Sequence, residues 1–331
     1  MIQTSLTILQ NLQYPTGLFA AAAKTTQTGY ARAWMRDNIY ATLGLEAVGN
    51  NTAVLQTYHA LLNILRKHEF KIDWMICEPH PKHAFRYIHA RYDPITGDEI
   101  HEEWGNKQND AVGALLFKIG ELHKKELPIL RDDADERIVQ KLVHYLAAIE
   151  YWHDPDNGMW EEYEEVHASS VGACVAGLEA VKHIVDVPQN IISQGRLTLS
   201  VLLPRESKTK NVDLALLSLI YPYNVVTPEQ REAILKNVEE HLLREKGVLR
   251  YLGDRYYSNG KEAEWTMGLP WLAIIYKQLN QTHKQRYFLE KSVAAMNEKG
   301  ELPELYYGGT VMHNENTPLG WAQSLFVVAL A

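Results

Sequence analysis

The chain has 331 residues, 46% apolar and 22% charged, which is ordinary globular usage and enough apolar matter for a sizeable core rather than a disordered tract. Its formal charge of -8 comes from 41 acidic against 33 basic residues with no basic run, which speaks against nucleic acid or an anionic membrane as partner. Two cysteines, Cys77 and Cys174, make no disulfide framework.

The opening MIQTSLTILQ has neither a positive n-region nor a small-residue cleavage site, so no secretory leader is expected and the cytoplasm is the expected location. Val54, Leu55, Tyr58, Leu61, Leu62 and Leu65 fall on one face of a helix. The stretch from Lys71 to Glu103 breaks that period with Pro79, Pro81, Pro94 and Gly97, and Asp93 to Asp98 reads as a turn between short strands. Within it, Cys77, His80 and His83 lack a fourth ligand and read as loop residues rather than a zinc site. Helices resume with Val112, Leu115, Leu116, Ile119 and Leu122, then with Val139, Leu142, Val143, Leu146 and Ile149. Tyr151 to His167 is a second break. Thr227, Pro228 and Gln230 form the N-cap, first turn and capping-box partner of a later helix. Gly247 to Trp265 and Gly300 to Thr317 are further breaks, and the apolar runs Trp271 to Tyr276 and Leu325 to Ala331 are too short to span a bilayer. The periodicity gives about twelve helices. No Pro/Gly/Ser linker divides them, so residues 1–331 are expected to form one all-α domain. Long loops rich in Trp, Tyr, Asp, Glu and Arg between helix pairs suggest helices in a ring, with the loops gathered over one mouth.

Those loops carry the chemistry. In DPDNGMWEEYEE, Asp156, Asn157 and Gly158 make a turn ahead of Trp160, Glu161 and Glu162. A carboxyl beside an indole and other acids has two reasons for a raised pKa, desolvation and like-charge repulsion, and a general acid needs one near neutral pH. The plainer reading is an exposed acidic loop; a calcium loop does not fit, because Gly158 falls one place early. In KGELPELYYGG, Glu304 lies between Pro303 and Leu305, ahead of Tyr306 and Tyr307. Glycosidases need two carboxyls flanking one bond, and sequence distance does not limit how closely they approach. Trp34, Arg36 and Asp37 put a charged pair among aromatics; Trp104, Gln108 and Asp110, then Arg250, Tyr251, Asp254 and Tyr256, then Glu264 and Trp265 add further aromatic and polar pieces. Sugars present apolar ring faces rimmed with hydroxyls, so their sites mix stacking aromatics with charged hydrogen-bond partners. No phosphate loop, serine elbow or redox pair appears, and no cofactor is implied.

In this order, WMRDNIYATLGL from Trp34, EWGNKQNDA from Glu103, WEE at Trp160 to Glu162, HASSVGACVAGLEA from His167, RYLGDRYY from Arg250, PELYY from Pro303 and GWAQSLFVVAL from Gly320 resemble glycoside hydrolase family 15, the glucoamylase family. They resemble still more the related domain of phosphorylase kinase alpha and beta regulatory subunits. The resemblance implies an (α/α)6 barrel of the six-hairpin glycosidase type and inversion by two glutamates. It implies Glu161 as general acid, Glu304 as general base, and Arg36, Asp37 and Arg250 gripping a terminal glucose. Trp34, Trp104 and Trp160 would line the pocket, with Asp110, Glu162 and Tyr307 completing the binding set. Leu305 follows the presumed base as in the kinase-subunit version, where glucoamylases tend to have Gln. Together with the expected lack of a secretory leader and of a starch-binding module, that departure points to a cytoplasmic α-glucan oligosaccharide rather than polymeric starch. It also leaves a second reading, a sugar-sensing module without turnover.

Overall fold

The computed structural model describes residues 1–102 and 104–331; Glu103, which opens the EWGNKQNDA stretch, lies outside them. Twelve α-helices occur among the described residues: α1 (Ile2–Leu12), α2 (Met35–Ala47), α3 (Asn51–Lys67), α4 (Glu69–Cys77), α5 (Asn109–Lys124), α6 (Asp133–Ala148), α7 (Ala168–Val181), α8 (Gln189–Leu202), α9 (Pro228–Asn237), α10 (Gly268–Gln278), α11 (Thr282–Ala294) and α12 (Gly320–Leu330). A 3₁₀ segment, Leu214–Leu219, stands where a thirteenth would fall.

Apart from α4, which packs on α6, these elements form two concentric layers. Around the inside, α2, α5, α7, the 3₁₀ segment, α10 and α12 each pack on the next, and α12 closes back on α2. Outside, α3 covers α2, α6 covers α5, α8 covers α7, α9 covers the 3₁₀ segment, α11 covers α10 and α1 covers α12. This is a ring of six helical hairpins, the closure that periodicity alone left open.

Burial separates the layers. The outer helix α6 buries one stripe, including Ile138, Val139, Leu142, Val143 and Leu146. The inner α5 buries 13 of its 16 residues and α7 13 of its 14, so both are apolar or small nearly all round. Their axes come so close that a Cβ on Gly113 would stand 2.4 Å from the Ala173 carbonyl carbon, and one on Gly177 2.4 Å from the Gly113 oxygen. The small residues of HASSVGACVAGLEA are there to let two helix backbones meet.

Thr227 caps α9 with both capping-box bonds made. The expected turn is also present: the Asp93 amide donates to the Asp98 carbonyl at 2.8 Å, and Asp93 Oδ1 accepts from the amides of Ile95 and Thr96. The strand beside it, β2 (Arg91–Tyr92), pairs antiparallel with β1 (Ala33–Trp34), a tie that the sequence reading did not contain. A second pair, β3 (Glu264–Trp265) with β4 (Leu305–Tyr306), fixes the loop bearing Glu304 to the loop ahead of α10. Arg36 and Asp37 in the first turn of α2, Met267 just before α10 and Trp321 in the first turn of α12 line one cavity, so N-termini of the inner helices meet at one end of the ring. Their partial positive charges there favour carboxylates. No helix among the described residues is long and apolar enough to cross a membrane.

Candidate active site

At that end, a cleft of about 960 Å³ lined by Trp104, Glu161, Glu162, Tyr163, Lys210, Tyr251 and Tyr256 narrows to a small inner cavity. The inner cavity of about 60 Å³ is lined by Tyr30, Trp34, Arg36, Asp37, Trp160, Glu161, Arg250, Trp265, Glu304 and Trp321, among others. Glu161 belongs to both spaces, at the waist between them.

Glu161 has a φ of 62°, the left-handed conformation that a non-glycine residue adopts at a cost of about 1–3 kcal/mol. The turn beneath it is held by Glu161 N–H to the Gly158 carbonyl at 3.2 Å and Glu162 N–H to the Asn157 carbonyl at 3.0 Å. As a result the two adjacent glutamates point to different partners. Glu161 Oε1 accepts from Arg36 Nη2 and Gln108 Nε2, both at 3.0 Å, and Oε2 accepts from the Trp104 indole at 2.5 Å. Glu162 turns to Arg250 at 2.8 Å, the Tyr251 hydroxyl at 2.6 Å and Lys210 at 3.2 Å. The like-charge push expected between the neighbours is therefore taken up by separate cations.

Arg36 and Arg250 are buried guanidiniums, each 3% exposed, and each needs anions around it. Arg36 Nη1 contacts Asp110 at 3.1 Å and Gln108 Oε1 at 2.9 Å. Arg250 makes a two-pronged pair with Asp254, both bonds 2.7 Å. Asp37, in the first turn of α2, faces the cavity. Burial raises its carboxyl to about 7; Arg36 opposes that shift, and the charges of Glu161 and Glu304 reinforce it.

Glu304 is 1% exposed, immediately precedes β4 and packs against the segment before α12. Its Oε1 accepts from the Tyr30 hydroxyl at 2.6 Å, and its Oε2 from Asn314 Nδ2 at 2.5 Å and Asn316 Nδ2 at 2.8 Å. Burial raises its pKa, while the donors from Tyr30, Asn316 and Asn314 and the charge of Arg250 draw it back.

Of the residues singled out in the sequence, Trp34, Arg36, Asp37, Trp160, Glu161, Arg250 and Glu304 share the inner cavity, and Trp104 and Glu162 line the outer cleft. Asp110 stands one layer behind, against Arg36. Tyr307 is in neither lining; its ring lies 5.9 Å from that of Tyr257. Glu264 is structural, accepting from the amides of Lys246 and Gly309. Tyr30, Asn314, Asn316 and Asp213 were missed. Asp213 accepts from the Trp160 indole at 2.7 Å, and burial raises its carboxyl to about 7. All four lie in loops without periodicity; the only visible signal was the paired asparagine of HNENTP.

Solved structures share this architecture. A wild-type glycosidase superposes with a TM-score of 0.87 at 19% identity, covering 99% of this chain and 94% of that one. A variant glycosidase in complex with glucose gives 0.86 at 20%, covering 99% and 94%. The glucoamylase from Saccharomycopsis fibuligera gives 0.72 at 15%, covering 99% and 93%. Among curated proteins, a probable phosphorylase b kinase regulatory subunit alpha from Caenorhabditis elegans is 25% identical over 373 residues, covering 89% of this chain and 30% of the relative. The liver isoform of that subunit from Oryctolagus cuniculus is 26% identical over 298 residues, covering 77% and 23%. The chain thus spans less than a third of the length of these curated relatives. The model of glycosyl hydrolases family 15 matches residues 1–190, more than half of the sequence. With the six-hairpin ring and the paired glutamates at its mouth, the chain belongs to glycosyl hydrolases family 15.

Proposed function

We propose that the protein is an inverting glycoside hydrolase acting at the non-reducing end of an α-glucoside or α-glucan oligosaccharide. Glu161 protonates the glycosidic oxygen as the bond to the leaving sugar breaks, and Glu304 takes a proton from the water that attacks the anomeric carbon from the opposite face. The observation that carries this reading is that two glutamates from separate loops line one narrow cavity, together with two buried arginines and four indoles. The narrowing from a wide cleft to a small inner end suits a terminal sugar held inward with the leaving group outward. Arg36 holds Glu161 at 3.0 Å, and incoming sugar hydroxyls compete for that guanidinium. Tyr307, outside both linings, supports the neighbouring Tyr257 rather than the sugar. Unpaired cysteines, one exposed and one buried, suit a reducing cytoplasm and a substrate met there.

The test is a screen of maltooligosaccharides, isomaltooligosaccharides and trehalose with Glu161→Gln and Glu304→Gln as controls. Wild-type release of glucose that both variants lose is the expected result; no release from any of them removes the hydrolase reading. A second reading, saccharide sensing without turnover, is favoured by the kinase regulatory subunits among the relatives. It predicts sugar binding that survives Glu161→Gln.

A further inference from the structure

The segment between β4 and α12 suggests a division of labour within one carboxylate. A carboxylate offers about four acceptor sites, two on each oxygen. On Glu304, Oε2 is filled by two carboxamide donors, Asn314 and Asn316, while among the described residues Oε1 receives only the Tyr30 hydroxyl. We propose that Asn314 and Asn316 are positioning residues that lock Oε2, so that Oε1 is the oxygen that takes the proton from the attacking water. The proposal rests on the hydrolase reading and adds the device that orients its base. In the step, one O–H bond of water breaks and the Oε1–H bond forms; the water oxygen bonds the anomeric carbon as its bond to the glycosidic oxygen breaks, and that leaving oxygen takes the proton from Glu161.

The local chain is built for this. Asn314, Glu315 and Asn316 alternate as in an extended strand: both asparagines face Glu304, while Glu315 accepts from the Tyr257 hydroxyl at 2.9 Å. The backbone sets the register, with Glu304 N–H donating to the Asn316 carbonyl at 3.0 Å and Asn314 N–H to the Leu305 carbonyl at 3.2 Å. Asn316 is fully buried and its other end accepts from Thr28 Oγ1 at 2.5 Å, so its amide cannot turn. Asn314 is 2% exposed, and its Oδ1 has no partner among the described residues. A residue kept only for stability would be expected to satisfy both ends. What Asn314 satisfies is the carboxylate. Neither asparagine lines the cavity, so neither is placed to touch sugar.

The titratable and charged groups that share the cavity with Glu304 or act on it include Tyr30 from the loop after α1, Arg36 and Asp37 from α2, Glu161 from the loop before α7, and Arg250, Tyr256 and Tyr257 from the loop before β3. Because Asp37 also titrates in this cavity, a pH–rate curve alone would not assign its limb to Glu304. The experiment therefore follows Glu304 itself. Protein carrying ¹³C at the glutamate side-chain carboxyls is titrated by NMR, with the Glu304 signal assigned from Glu304→Gln. Removal of a donor to the charged form disfavours it, so Asn314→Leu, close to the same volume, is expected to move that ionisation up by about one pH unit. The acid limb of kcat/KM should follow the same direction, kcat should fall roughly ten-fold and KM should stay within about two-fold. Asn314→Ala also removes the donor and keeps the test if the leucine variant does not fold. A folded variant whose Glu304 ionisation stays in place overturns the proposal. A shifted ionisation in a protein that hydrolyses no glucoside would instead sink the hydrolase reading and leave the clamp standing.

Discussion

Asp110 gives the sharpest handle on the site's electrostatics. Its side chain is 2% exposed against 4% for Arg36, and 3.1 Å separates the charges. Asp110→Asn keeps the shape and removes the charge, leaving Glu161 as the anion that compensates the Arg36 guanidinium. Breaking a buried pair from one side costs about 3–5 kcal/mol, because the partner's charge stays buried. For 331 residues the unfolding entropy near the melting point is about 0.7 kcal/mol/K, so the midpoint should fall by about 4–7 °C. Differential scanning calorimetry at neutral pH reads this directly. The triple variant Arg36→Met, Asp110→Leu and Glu161→Gln, which removes the whole buried ionic group, should recover most of the loss, since replacing such a group entirely is often neutral or better. A single variant that melts within about 1 °C of wild type would refute the reasoning, showing that Arg36 does not depend on this carboxylate.

Other expectations follow from the same geometry. Tyr30→Phe removes the donor at Glu304 Oε1 and should lower kcat by about 10–100-fold in a protein that melts near the wild-type temperature, measured with the best substrate of the screen. Gly113→Ala should destabilise by about 3 kcal/mol or more, read by denaturant unfolding, because the new methyl meets α7 backbone at 2.4 Å. Asp156 is fully buried, and burial raises its carboxyl to about 7, with His167 opposing and Asp110 adding to the rise. The folded state then holds a proton that the unfolded chain has released, so this group costs stability progressively as pH rises from about 4 to about 7. His167, which Glu206 and Asp156 hold at about 9 despite its burial, stays charged throughout that window. Asp156→Asn should therefore gain in melting temperature relative to wild type between about pH 5 and pH 8; a constant difference would show that Asp156 is ionised throughout.

Much of the fold was legible because helices announce themselves by period. The stripe on α3 and α6 and the capping box of α9 needed no tertiary information. The inner ring was harder: α5 and α7 are buried on nearly every side, so their apolar residues mark no single face, and closure depends on contacts between α12 and α2 at opposite ends of the chain. The fourth inner element escaped because a six-residue 3₁₀ segment is too short to show a period. In the site, acids and arginines beside tryptophans stood out by composition. Their supports did not: Tyr30, Asp213, Asn314 and Asn316 act through single hydrogen bonds across long loops, and nothing local marks such a partner.

The most direct measurement is the anomeric form of the first product, followed by ¹H NMR within minutes of mixing wild-type protein with an α-linked oligosaccharide. Two carboxyls working from opposite faces of the sugar, one on the leaving oxygen and one on water, predict β-glucose first, mutarotating later to the mixture. Initial α-glucose, or release that persists undiminished in Glu304→Gln, would contradict the account.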